Sequence, residues 1–129
     1  MSAPWTRAAL VWILLMLAET GHGVVRELFI APVIGGMRAR QLGVLVGCLI
    51  IFIIAWLTAR WMKATTLRQQ LTTGAFWVAL TLVFEFSLGR ATGASWGRIL
   101  SDYNPARGGL MLAGLAFMFM TPWLTRKLR

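Results

Sequence analysis

Apolar and polar positions follow one another along this chain in long blocks. Four apolar runs, roughly residues 8–30, 42–62, 74–90 and 108–125, are separated by short stretches that hold most of the charge. Each run is close to the ~20 residues that a helix needs to cross about 30 Å of hydrocarbon. The runs are continuous and rich in Leu, Ala, Met and Trp, whereas a barrel strand alternates lipid-facing and lumen-facing residues. The pattern predicts an all-α polytopic membrane protein: residues 1–129 as one domain, a bundle of four transmembrane helices, with almost nothing left for a soluble domain.

Composition agrees, since 58% of the 129 residues are apolar and only 13% charged, far from a soluble average. The N-terminal "MSAPWTRAALVWILLMLAETG" has the basic flank and apolar core of a secretory signal. The small-residue cleavage pattern after Ala18 is poor, so the segment reads as the first half of a retained helix. The net charge of +9 does not point to nucleic acid, because the basic residues sit at the ends of the apolar runs and not along one face. They are membrane-boundary charges, with the lipid bilayer and its anionic lipids as the expected partner. With both termini inside, seven Lys and Arg fall on the inner side and five on the outer. The expected location is a prokaryotic-type inner membrane, with N- and C-termini cytoplasmic.

Self-comparison adds a repeat. At an offset of 67, "WLTAR" (56–60) falls on "WLTRK" (123–127), and eight of the 24 positions 39–62 are identical, against roughly two or three expected from composition. At an offset of 66, Glu19 falls on Glu85 and Gly23 on Gly89. The expectation is a parallel duplication of a two-helix unit, residues 8–62 and 74–129, related by a two-fold axis along the membrane normal, with Glu19 and Glu85 facing a shared centre.

The first run contains "LAETGHGVVREL" (17–28), with two glutamates, an arginine and the only histidine. Glu19, His22 and Arg26 lie at i, i+3 and i+7, one stripe of a helix. Glu85 and Gly89 form the counterpart, with Arg90 one residue beyond. The expected site is therefore Glu19, His22, Arg26, Glu85 and Arg90. Desolvation strengthens a carboxyl's hold on its proton and a nearby arginine weakens it, so such a group suits exchange of a proton or a cation. The bland alternative is that Glu19 pairs with Arg90 or Arg107, and Glu85 with Arg26, merely stapling helices. Trp12 and Trp77 are placed as interfacial anchors or packing residues.

In "ASWGRILSDYNPARGG" (94–109), Trp96, Ile99, Leu100 and Tyr103 recur at helical spacing behind a candidate Ser95 N-cap. A short interfacial helix is expected there, with Arg40, Asp102, Tyr103, Asn104 and Arg107 lining an entrance. No metal site is expected: one His and one apolar-run cysteine, Cys48, make no ligand cluster. The glycines around His22 admit a flat cofactor, yet no second histidine supports haem, and no cofactor is expected. An enzyme using His22, Glu27, Arg38, Arg40 and Asp102 on a lipid phosphate has no motif behind it. The sequence thus favours proton- or cation-linked transport or binding of a small solute. Its alternative is a non-enzymatic accessory or structural subunit of a larger membrane complex. Four short helices enclose little volume, so a homo-oligomer or a partner membrane subunit is expected in either case.

Overall fold

The computed structural model describes residues 5–101, 103–104 and 109–128, which contain helices and no strand. Helix α1 spans Trp5–Ile34, α2 Gly36–Met62, α3 Leu67–Ala91, the short α4 Trp96–Ser101, and α5 Met111–Leu128. Helices α1, α2 and α3 are long and apolar enough to cross a membrane. Helix α5 has 18 residues, carries Pro122 and closes on Arg126 and Lys127. Large apolar side chains cover the outside, among them Leu17, Leu45, Leu57 and Val83, each more than 60% exposed. In water that surface is unfavourable; in a bilayer it meets a solvent as apolar as itself.

The connections are shorter than the apolar runs imply. Residues 31–41, expected to be a loop, are helical except for Gly35. Gly35 reverses the chain by itself at φ +92°, a conformation open to glycine and strained for other residues. Near the end of α1, Arg26–Ile30 forms a π-helical turn, with the Ala31 N–H donating to the Arg26 carbonyl. Pro32 follows: it lacks an N–H, and its ring conflicts with the carbonyl four residues back, which gives a reason for widening just here. Helix α2 ends on Lys63 in the left-handed region. Helix α3 opens with a capping box, the Thr66 hydroxyl accepting from the Gln69 N–H and the Gln69 side chain accepting from Thr66.

Packing runs in a ring: α1 against α2, α2 against α5, α5 against α3, and α3 against α1. Helices α1 and α3 are parallel, because the Trp77 indole donates to the Ala8 carbonyl at 2.9 Å and, one turn on, Trp12 donates to the Thr81 hydroxyl at 3.0 Å. Trp12 and Trp77 therefore join helices, and Trp77 is fully buried. Helix α2 packs through a stripe of Ala39, Gly43, Gly47, Ile51, Ala55 and Ala59, all but Ile51 small residues that let helices approach closely without a hydrophobic driving force. A Cβ at Gly74 would run into the Phe119 carbonyl of α5. The apolar core of Val11, Leu15, Met16, Ile51, Ala55, Met62, Trp77 and Met118 lies toward the end where α1 begins. Arg7 closes that end, its guanidinium 4.8 Å over the Trp61 ring and hydrogen-bonded to the Trp61 carbonyl.

Candidate functional site

The small residues that bring α1 and α2 together also create room. Beyond the core, toward α4, the four long helices line a half-open cavity of about 670 Å³, within the range of small-molecule sites. Met16, Ile51 and Met118 belong to both the core and the cavity lining, so the core forms the floor. Above it come Glu19, Thr81 and Glu85, and nearer the other end Arg26, Arg40 and Arg98.

Glycines of α2 hold the charged groups of α1. Gly47 faces the Glu19 carboxylate: a Cβ built there would stand 2.9 Å from Oε2 and 3.3 Å from Oε1. Gly43, one turn away, faces Arg26, with Cδ and one terminal nitrogen 3.0 and 3.1 Å from the same construction. Glu19 Oε1 is buried and has no hydrogen-bond partner among the described residues, and the same holds for Arg26 Nε. Glu19 is repelled by Glu85 and attracted by Arg26. The ion pair that Arg26 makes is with its neighbour Glu27, at 3.3 Å.

Of the five residues expected to form the cluster, Glu19, Arg26 and Glu85 line the cavity. His22 is half-buried against Gly43 of α2 and is not part of the lining. Arg90 does not join either: it is exposed, donates to the Ala94 carbonyl at 3.1 Å and stacks 5.0 Å over Trp96. One position past the Glu85/Gly89 stripe, it is turned about 100° round the helix. Gly43 and Gly47 were not singled out as site residues, although their G-x-x-x-G spacing marks close helix packing. Cys48 also borders the cavity.

Above the cavity, the Ser95 hydroxyl accepts from the Arg98 N–H and caps α4. Ile99 is buried on Gly89, its Cδ1 and Cγ1 standing 2.9 and 3.0 Å from a Cβ built there. Tyr103 stacks on Phe86 with centroids 5.2 Å apart. Of the expected entrance residues, Arg40 and Tyr103 line the cavity, while Asn104 is exposed and its carbonyl accepts from the Gly109 N–H. Asp102 and Arg107 lie outside the described residues. Among those residues, no three His, Cys, Asp or Glu side chains are grouped to hold a metal ion. Compared with protein families, with curated proteins and with solved structures, the chain shows no match.

Proposed function

We propose that this protein binds a small solute within the membrane and moves it in exchange for, or together with, a proton or cation taken up at Glu19 and Glu85. The observation that carries this reading is Glu19, which lines the cavity while its buried Oε1 meets no donor from the described residues. A desolvated acceptor left unpaired is costly, and a proton, a cation or a solute donor removes that cost. A carboxylate that only staples helices has its arginine in contact, whereas Arg26 makes its ion pair with Glu27.

The same proposal takes α5 as the fourth span, places the protein in an inner membrane with both termini cytoplasmic, and has the cavity open outward. The duplication belongs here as well, resting on the sequence offset. In the ring, repeat-related helices α1 and α3 are neighbours, as are α2 and α5. Two hairpins stacked side by side fit that order better than a central two-fold axis, which exchanges opposite corners. The accessory-subunit alternative draws on Leu28, Phe29 and Val33, which project beside the π-turn at 63%, 69% and 80% exposure.

The test is proton flux into liposomes loaded with a pH-sensitive dye, driven by an imposed potential. Flux that Glu19→Gln abolishes supports transport. An inert parent protein that co-purifies in fixed stoichiometry with a larger membrane complex favours the accessory subunit.

A further inference from the structure

Two side chains that line the cavity each carry a buried polar atom without a partner among the described residues, of opposite kind: the acceptor Glu19 Oε1 and the donor Arg26 Nε. Both side chains belong to α1, and both lie on glycines of α2, Glu19 on Gly47 and Arg26 on Gly43. Four helical residues separate those glycines, a rise of about 6 Å. Negative charge thus lies deeper and positive charge nearer α4, one turn apart, in a single cavity. Glu85 adds to the deep layer and Arg40 to the upper one. Glu27 engages Arg26 through a terminal nitrogen, which leaves Nε for another acceptor.

A proton or metal cation satisfies Glu19 and offers nothing to Arg26 Nε. An inorganic anion does the reverse and is repelled by the two carboxylates beneath it. A molecule with an ammonium at one end and a phosphate or carboxylate at the other, a few bonds apart, offers a partner to both. We propose that the cavity binds such a zwitterion, its ammonium donating to Glu19 and its anionic oxygen accepting from Arg26 Nε. This rests on reading the cavity as a solute site and names the substrate class. The zwitterion has two sources, a free aminoalkyl phosphate or amino acid, and the headgroup of a lipid whose acyl chains leave between helices.

The test is thermal unfolding of the detergent-solubilised protein with phosphoethanolamine, with ethanolamine and with inorganic phosphate. In a second arm, short-chain phosphatidylethanolamine is compared with phosphatidic acid. The zwitterion is expected to raise Tm with an apparent affinity about tenfold or more above either half, the scale of one charge-assisted hydrogen bond. Stabilisation by phosphoethanolamine identifies a free solute, and stabilisation confined to phosphatidylethanolamine identifies a headgroup. Glu19→Gln should erase the advantage over phosphate, and Arg26→Leu the advantage over ethanolamine. Because the parent protein alone distinguishes the probes, the test stands even if a variant fails to fold. Equal stabilisation by one half alone, or no effect of a zwitterion in either arm, overturns the inference. Proton flux that depends on Glu19 without any zwitterion effect overturns it while leaving the proposed function; zwitterion binding without flux overturns transport and leaves the binding site.

Discussion

The Glu19 carboxylate lies against the bare backbone of Gly47, in space that a single methyl group would contest. Gly74 has an equally bare backbone, but what it faces is the Phe119 carbonyl. The two glycines therefore predict opposite outcomes. Gly47→Ala meets the end of a flexible side chain, so stability should change by less than about 1 kcal/mol while solute binding falls as Glu19 is displaced. Gly74→Ala meets backbone and should cost about 1–3 kcal/mol or more as α3 and α5 are forced apart. Thermal unfolding of both variants in one detergent, beside a binding assay, checks the contrast.

Glu19→Gln should leave the fold as stable as the parent, or more so. The substitution removes a charge that Glu85 repels and whose Oε1 meets no donor among the described residues, whereas breaking a true buried pair typically costs about 3–5 kcal/mol. Denaturation of the single variant measures the difference. A loss on the larger scale, restored by neutralising Arg26, would mean that the carboxylate staples helices.

Trp77→Phe keeps a ring in the core but removes the donor to the Ala8 carbonyl. The expected cost is about 0.5–1.5 kcal/mol for the lost bond, with further loss if the smaller ring leaves a void. Because that bond joins α1 to α3, the amides around Ala8 and Trp77 should exchange faster in the variant than in the parent protein, while those of α4 are unchanged.

Ile99→Ala removes the side chain that rests on Gly89. Helix α4 has six residues, too few to stay helical without tertiary packing. Its amides should therefore lose protection by about tenfold or more, while the melting of the four long helices hardly moves. Hydrogen exchange resolved by segment separates the two; a lowered bundle Tm with α4 still protected would contradict this account.

The long helices were legible because apolar runs of membrane length have few other uses, and Ser95 announced α4 through its spacing from Trp96 and Ile99. Glu19 and Glu85 were legible as charges out of place. What periodicity could not show was direction. Between His22 and Arg26 the choice was made by Gly43, whose surface takes the arginine and lets the histidine rest beside it outside the cavity. Arg90 stood one residue off the stripe, and that residue carried it to Trp96. Trp12 and Trp77 had the composition of interfacial anchors, yet each indole N–H found an acceptor on a neighbouring helix. The one-residue reversal at Gly35 was hidden because Pro32, Gly35 and Gly36 together read as an ordinary loop.

The π-turn at Arg26–Ile30 gives the first helix a slack of one residue. An α-helix that loses a residue usually rotates everything beyond it by about 100° and mismatches its partners. Here the slack absorbs the loss: a deletion inside the turn closes it to ordinary α geometry, and the segments on either side keep their bearing. The same slack makes this the place where lineages of the protein can differ in length by one residue without a change of fold, and where two sequences aligned without gaps would fall out of step.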